Sequence, residues 1–248
     1  MKILVCISHV PDTTSKINFT DNDTKFDING VQFVINPYDE FCLTRAMWFK
    51  EKQGATITVL NVGNATTEPT LRKALAIGAD DAIRVNIEPK DGLSVAKQIA
   101  AVVETGNYDL VLAGRESIDY NGGMVPGMVA SLVNYNFVNG CVGVEIEGNS
   151  AILVREIDGG NETLSSTLPL VIAGQKGIVE EKDLRIPNMR GIMMARQKPL
   201  QVVEPVFAAN ATEVLSYQKP APKGAVKLVD ADNIDELINL LHNEAKVI

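Results

Sequence analysis

The sequence is poor in cysteine, histidine and aromatic residues. Its 248 residues include three cysteines, two histidines and one tryptophan, and aromatic side chains make up 5% of the chain. Cys6, Cys42 and Cys141 are far apart, odd in number and set among apolar neighbours. This pattern lacks metal-ligand spacing and predicts small buried residues in a reducing compartment. No histidine cluster and no G-x-S-x-G elbow is present, so the sequence favours neither a metal site nor a hydrolase.

Long apolar runs and an excess of positive charge are also missing. The apolar run at residues 2–7 stops at Ser8-His9 and lacks a cleavage pattern, so it predicts a buried strand and not a signal sequence. No run reaches the length needed to cross a bilayer. Acidic residues outnumber basic ones by 31 to 23, for a net charge of −8, and such a surface repels nucleic acid and anionic lipid. We therefore expect a cytoplasmic protein with no nucleic-acid partner and no membrane insertion.

Two nucleotide-binding motifs are absent. There is no G-x-G-x-x-G after the first predicted strand, which argues against an ordinary dinucleotide dehydrogenase. There is no Walker A motif either, which argues against a P-loop NTPase. The sequence is more typical of a binding protein than of a conventional enzyme.

What the first half does contain is an alternation of short apolar runs and helical patterns. Strands are predicted at residues 2–7, 56–62, 82–85 and 110–113, and helices at residues 37–52, 68–77, 93–105 and 123–133. Asn36-Pro37 marks the first helix as an N-cap followed by proline at the first helical position. Repeated β-α-β units predict a doubly wound, mainly parallel α/β sheet of Rossmann-like, adenine-nucleotide-binding type.

The rest of the chain departs from this alternation. Between Asp12 and Ile35, turn signals predict an excursion of two short strands. Residues 141–147 and 151–157 predict a β-hairpin and residues 163–173 another strand, which together form an antiparallel extension of the sheet. Residues 1–205 are thus expected to form the α/β domain.

Residues 206–248 are predicted to form a C-terminal arm. The proline-rich stretch at residues 218–224 is a linker by composition and leads to an amphipathic helix at residues 234–245. A helix with an apolar face must bury it, either on its own domain or on another subunit, and the pattern leaves both open.

Ligands of an open parallel sheet bind beyond the carboxyl ends of its strands. The loops in that position are residues 8–13, 63–67 and 114–123. The last ends in Gly122-Gly123 at a predicted helix start, where backbone N–H groups and the helix dipole can hold a phosphate. The same two glycines are also typical of a plain tight turn.

Five segments, in order, carry a resemblance to a known family. They are INPYDE at residues 35–40, LRKALAIGAD at 71–80, VREIDGGNET at 154–163, IPNM at 186–189 and IMMAR at 192–196. Together with the loops above, they resemble the β subunit of electron-transferring flavoproteins over residues 1 to about 205, and the last helix is similar to that family's C-terminus.

The resemblance implies a site and a set of partners. The β subunit would form a heterodimer with an electron transfer flavoprotein α subunit that holds most of the electron-carrying FAD, and Tyr38 matches an aromatic residue near that flavin. The pair would exchange electrons with acyl-CoA or other dehydrogenases and a quinone-linked acceptor. The β subunit itself would bind an adenine nucleotide, AMP or a second FAD, through Cys6, Ile7, Ser8, His9, Asn36, Tyr38, Asp39, Val62, Gly63, Ile118, Asp119, Asn121, Gly122, Gly123, Met124 and Val125.

The resemblance also implies a partner-binding segment, Ile186, Pro187, Asn188 and Met189, in which an apolar residue anchors the dehydrogenase. Helical spacing alone predicts that Met189, Met193 and Met194 pack in the core. The resemblance reverses that expectation only for Ile186, since an exposed apolar anchor is what an interface hot spot requires.

Two departures from the family pattern bear on the nucleotide. Asn121 and Met124 stand where members commonly have a carboxylate and an amide, which alters side-chain recognition and leaves backbone contacts possible. Residues 10–13 (VPDT) are more similar to electron-bifurcating members, whose second FAD accepts hydride from NADH, so AMP and a second FAD both stay open. A stand-alone nucleotide-binding module of the universal-stress type is a further alternative, although it needs neither the linker nor the terminal helix.

Overall fold

The computed structural model describes residues 1–248 as an α/β domain followed by an extended arm. The strands are β1 (Lys2–Cys6), β2 (His9–Pro11), β3 (Phe19–Thr20), β4 (Lys25–Phe26), β5 (Phe33–Ile35), β6 (Thr56–Val62), β7 (Asp81–Val85), β8 (Leu110–Gly114), β9 (Asn136–Glu147), β10 (Ser150–Ile157), β11 (Gly160–Thr167), β12 (Leu170–Gly174) and β13 (Leu200–Val203). The helices are α1 (Pro37–Gln53), α2 (Glu68–Ile77), α3 (Gly92–Gly106), α4 (Val125–Val133), α5 (Met189–Ala195) and α6 (Ile234–Asn239).

Nine strands form one sheet in the order β11-β10-β9-β12-β8-β1-β6-β7-β13. In this sheet order, every pairing from β9 through to β13 is parallel. The strand β10 pairs antiparallel with both β9 and β11. The chain moves outward from β1 through β6 to β7 and then returns to β8 on the other side of β1. The direction of winding therefore reverses between β1 and β8.

Two apolar cores cover the two faces of the sheet. Alternate residues of a strand point to opposite faces, so Ile3 and Val5 of β1 enter one core while Leu4 enters the other. The first core is closed by α1, α2 and α5, and the second by α3 and α4. This two-sided burial explains the apolar runs of the central strands.

The four predicted central strands and the four predicted helices are confirmed to within two residues at each end. The fourth helix begins at Val125 and not at residue 123, so Gly123 and Met124 belong to the preceding loop. The prediction of one strand at residues 163–173 was wrong. The chain breaks at Leu168-Pro169, because proline lacks the N–H that a sheet ladder needs, and β11 and β12 lie in different parts of the sheet.

The excursion before α1 was also predicted incompletely. Between Asp12 and Ile35 the chain forms three short strands and not two: β3 pairs with β4, and β5 pairs with β2, which precedes this range. The strand β13 and the helix α5 were not predicted.

The arm is pinned to the domain only along its first part. Gln98 exchanges two hydrogen bonds with the backbone of Val206, and Asp91 accepts from two backbone N–H groups a few residues later. Tyr217 stacks on Phe19 and contacts the hydroxyl of Tyr120 (3.0 Å between the oxygens). After Lys219, which contacts Asn18, the arm is exposed through α6 and the π-helical turn Leu240–Ala245 that follows it.

No helix of the structure is both long enough and apolar enough to span a membrane.

Candidate functional site

The site expected from the sequence lies at the carboxyl edge of the sheet, where the winding reverses between β1 and β8. The loops after β1, β6 and β8 meet there with the start of α1. An edge of this kind is where open α/β sheets bind ligands.

Asp39 links the ends of the two strands at the reversal. One carboxylate oxygen accepts from the backbone N–H of Ser8 (2.7 Å) and the other from that of Gly114 (2.8 Å). Asp39 is buried, and loss of solvation raises its pKa to about 6, although these hydrogen bonds act in the opposite direction. Both oxygens of its side chain accept from the backbone, so Asp39 holds the ends of β1 and β8 together.

Asn36 holds the loop after β8. Asn36 occupies the N-cap position of α1 as predicted, but its side chain makes no capping hydrogen bond there. Its Nδ2 donates to the carbonyl oxygen of Glu116 (2.9 Å), and its Oδ1 accepts from the N–H of Ile118 (3.2 Å). Pro37 does occupy the start of α1 as predicted.

Gly114 makes this close packing possible. A Cβ there would lie 2.5 Å from Oδ1 of Asp39 and 2.6 Å from Cβ of Tyr38. Tyr38 itself is half-buried beside this strand end.

The loop after β6 is fixed by buried polar side chains on two strands. Nδ2 of Asn61 donates to the carbonyl oxygen of Ile7 (2.8 Å), and the guanidinium of Arg84 donates to the carbonyl oxygen of Gly63 (3.0 Å). The N–H of Gly63 donates to the carbonyl oxygen of Val85 (3.0 Å), and Val62 is half-buried at the end of the strand.

The loop before α4 is open at Gly122. Asn121 adopts a left-handed backbone (φ 49°), and a Cβ on Gly122 would meet nothing nearer than 4.0 Å. Tyr120 and Met124 are exposed, and no side chain caps α4. The first backbone N–H groups of that helix are therefore left for a ligand or water, as an anion site requires.

The remaining predicted site residues face other neighbours. The ring of His9 stacks on Phe33 with 4.3 Å between centroids, and Nδ1 lies 2.8 Å from Oγ1 of Thr70. Cys6 is buried, and this burial, with a smaller effect from the charge of Asp39, raises the pKa of its thiol far above the usual range. The carboxylate of Asp119 accepts from the N–H of the next residue. The geometry thus brings Ser8, Asn36, Asp39, Gly63, Ile118, Gly122 and Gly123 to one edge.

Asn61 and Arg84 were missed by the sequence reasoning. Both lie inside apolar strands and are buried. Each is a polar residue close to the carboxyl end of a largely apolar strand. That pattern is the signal that could have identified them, since such residues are seldom buried without a partner.

A second surface lies at α5. Ile186 is 85% exposed and Met193 is 69% exposed, and Met189 and Met194 are also on the surface. The expectation that these methionines pack in the core was therefore wrong. The short helix turns only Ala195 fully inward, so its apolar face is directed outward.

This surface is held rigidly on α2. A Cβ on Gly191 would lie 2.4 Å from the carbonyl oxygen of Ala76, so the two helices cross at backbone contact. Arg72 donates to the carbonyl oxygens of Ala195 and Lys198 (2.9 Å each), and the side chain of Asn188 caps α5 through the N–H of Gly191. A cavity of about 510 Å³ opens between the helices, lined in part by Pro187, Ile192 and Arg196.

Comparison with known proteins shows similarity to electron transfer flavoproteins. A family model described as the electron transfer flavoprotein domain matches residues 23–208. The chain is 34% identical to the electron transfer flavoprotein subunit beta of Bacillus subtilis, with all of both chains covered. It is 33% identical to the subunit of the same name from Syntrophomonas wolfei (100% of this chain, 98% of the relative) and 31% identical to the human one (91% of each).

Proposed function

The chain belongs to the electron transfer flavoprotein family as a beta subunit, and from this premise we propose that it binds an adenine nucleotide and pairs with a flavin-carrying alpha subunit. The pair carries electrons between dehydrogenases, such as acyl-CoA dehydrogenases, and a quinone-linked acceptor. Bound FAD supplies the redox chemistry, and this chain supplies the nucleotide cradle and two contact surfaces. We place the protein in the cytoplasm.

The observation that carries the proposal is the cradle at the carboxyl edge. Asp39 and Asn36 tie together the ends of β1 and β8 and the loop that follows β8. The uncapped start of α4, preceded by Gly122 and Gly123, offers backbone N–H groups to a phosphate. A cradle built from backbone groups suits a nucleotide even though Asn121 and Met124 depart from the family's pattern of side chains.

The surface at α5 supports the proposed contact with dehydrogenases. Exposed Ile186 lies just before α5 and exposed Met193 lies on it, and the helix is held by Arg72 and Asn188. A rigid apolar anchor loses little conformational freedom on binding, which is what a transient electron-transfer complex needs.

The arm supports the proposed pairing with the alpha subunit. Its first part is anchored to the domain as far as Lys219, whereas α6 exposes Ile234, Leu237 and Ile238. An amphipathic helix that finds no cover on its own domain has its partner elsewhere.

The test is the nucleotide content of the heterodimer. The chain is co-expressed with its alpha subunit, and the nucleotides released by denaturation are quantified by chromatography. One FAD and one AMP per heterodimer would support the simple carrier. Two FAD without AMP would make the cradle a redox site and favour the electron-bifurcating form, in which NADH oxidation is then measured.

A single FAD with no second nucleotide would overturn the proposed cradle, and a stable homo-oligomer that ignores the alpha subunit would favour the stand-alone module. A pair of variants distinguishes loss of the cradle from a general loss of folding. Asn36→Ala removes both bonds to the loop after β8 and is expected to lose the second nucleotide, while Asn149→Ala, in an exposed hairpin turn, retains it.

A further inference from the structure

The structure contains two buried arginines that differ in how their charge is balanced. Arg45 and Arg84 are 7% and 6% exposed, and in both the Nε atom has no hydrogen-bond partner. Arg45 has a counter-charge, since its guanidinium lies 2.7 Å from a carboxylate oxygen of Glu145. Arg84 takes part in no ion pair and donates only to neutral oxygens, the carbonyl of Gly63 (3.0 Å) and Oδ1 of Asn86 (2.8 Å).

The contacts of Arg84 fix one peptide group at the carboxyl edge. Its guanidinium holds the carbonyl of Gly63, and the carbonyl of Val85 accepts from the N–H of the same glycine. These two groups belong to successive peptide bonds, so β7 holds the chain on both sides of Gly63.

The space around Gly63 is also filled. A Cβ on Gly63 would lie 2.6 Å from Oδ1 of Asn61 and 2.5 Å from Cγ2 of Thr67. The Oδ1 atom of Asn61 is buried and accepts no hydrogen bond, while Nδ2 of the same residue holds the carbonyl of Ile7. Two unsatisfied buried polar atoms, on Asn61 and Arg84, thus lie beside the loop that follows β6.

A buried arginine without a counter-charge, such as Arg84, is not expected to increase the stability of the fold. A buried charge without a counter-charge loses its hydration, and an apolar residue of similar volume is often better for the free energy of folding. A role at the edge of the sheet explains why an arginine is found there. Arg84 sets the position of a loop and adds positive charge in a chain of net charge −8.

We propose that Arg84 is a positioning residue of the nucleotide site. It fixes the carbonyl of Gly63, so that the loop after Val62 faces the bound nucleotide in one orientation, and its unbalanced charge favours an anionic ligand. This inference rests on the adenine-nucleotide cradle proposed above.

The test compares two buried arginines in the heterodimer. Arg84→Met keeps the volume and removes the donors and the charge, and Arg45→Met does the same away from the cradle. Affinity for AMP, or for FAD where the heterodimer carries no AMP, is measured by calorimetry on nucleotide-depleted protein, and Tm is measured without nucleotide. We expect Arg84→Met to weaken the affinity at least tenfold and Arg45→Met to leave it within twofold while lowering Tm.

Two further variants make the result specific. Arg84→Lys retains the charge and a donor and is expected to recover affinity to within about threefold of wild type. Arg84→Gln retains a donor, loses the charge and is expected to weaken affinity at least threefold, which tests the idea if Arg84→Met fails to assemble.

The inference is overturned if every Arg84 variant that assembles binds within twofold of wild type, or if Arg45→Met weakens the affinity as much as Arg84→Met. A wild-type heterodimer that binds neither nucleotide would overturn the proposed cradle and this inference together. That result is distinguishable, because it is seen before any variant is made.

Discussion

At the scale of single residues, Asp39 makes the stability of the domain depend on pH. Its folded-state pKa of about 6 lies above the ordinary value of 3.8, because burial disfavours the charged carboxylate. The folded protein therefore holds this proton more tightly than the unfolded chain does. The contribution of Asp39 to the free energy of unfolding is largest below about pH 4, falls as pH rises towards 6 and is constant above that, by an amount on the order of 3 kcal/mol.

The variant Asp39→Asn isolates this contribution. Its NH2 group replaces one of the two accepting oxygens and faces a backbone N–H, so we expect it to be less stable than wild type at every pH. The difference in free energy of unfolding, measured by denaturant titration, should be greater at pH 4.5 than at pH 7.5, because only wild type loses stability on ionisation. A difference that stays constant with pH would show that Asp39 does not titrate in this range.

Gly114 gives a second prediction at this scale. Gly114→Ala would place a Cβ within 2.6 Å of Asp39 and Tyr38, so we expect a loss of about 1–3 kcal/mol in stability from overpacking, together with loss of the bound nucleotide. Gly160→Ala is the matched control, since a Cβ there meets nothing within 4 Å. Equal stability of the two variants in thermal denaturation would contradict the predicted close packing.

The sequence predicted the position of the candidate site better than its construction. Strand and loop order places residues 8–13, 63–67 and 114–123 at one edge, because parallel strands end together. The pairing of Asn36 with the loop after β8 joins residues about 80 positions apart, and no local pattern encodes it. The role of Arg84 is hidden for the same reason, since its partner Gly63 lies in the loop after the neighbouring strand β6.

At the scale of elements, the parts predicted from sequence are those with a strong local signal. The central strands are apolar runs buried on both faces, and α2 begins near Pro69 and ends at Gly78. The edge strand β13 has little apolar pattern, and α5 has seven residues, too few for periodicity to decide. Spacing also cannot tell whether an apolar helix face turns inward, and in α5 it turns outward.

The exposed apolar surface at Ile186 and α5 predicts a defect in electron transfer without a defect in folding. Ile186 is so exposed that Ile186→Ala should change Tm by no more than about 1 °C, since surface substitutions change stability little. Loss of a hot-spot anchor costs about 1.4 kcal/mol or more, which corresponds to at least a tenfold lower kcat/KM with a dehydrogenase as electron donor. Reduction of the heterodimer's flavin by an acyl-CoA dehydrogenase, followed by absorbance, measures this.

The control for Ile186 is Ile152→Ala. Ile152 is also an exposed isoleucine but lies on β10, in the antiparallel extension of the sheet. Its variant should transfer electrons as wild type does. Equal losses in both variants would mean that the apolar surface at α5 has no special part in binding the dehydrogenase.

At the scale of the whole molecule, the chain consists of a domain that closes its own core and an arm that does not. Each face of the large sheet has its own buried cluster, whereas no residue of α6 or of the turn after it is buried. The anchors at Gln98, Asp91 and Tyr120 carry the first part of the arm past the start of α3 and the loop before α4. The arm thus connects the loop before α4 to a segment that exposes apolar side chains.

Two truncations separate these parts of the arm. Removing residues 220–248 takes away α6 and leaves the anchors, so the isolated chain should keep its Tm while its affinity for the alpha subunit falls at least a hundredfold. Removing residues 206–248 also takes away the contacts with Gln98, Asp91 and Tyr120, so Tm should fall too. Analytical ultracentrifugation gives the affinity and calorimetry the Tm. If the shorter truncation lowers Tm as much as the longer one, α6 packs on its own domain; if it leaves the affinity unchanged, the alpha subunit binds elsewhere on the chain.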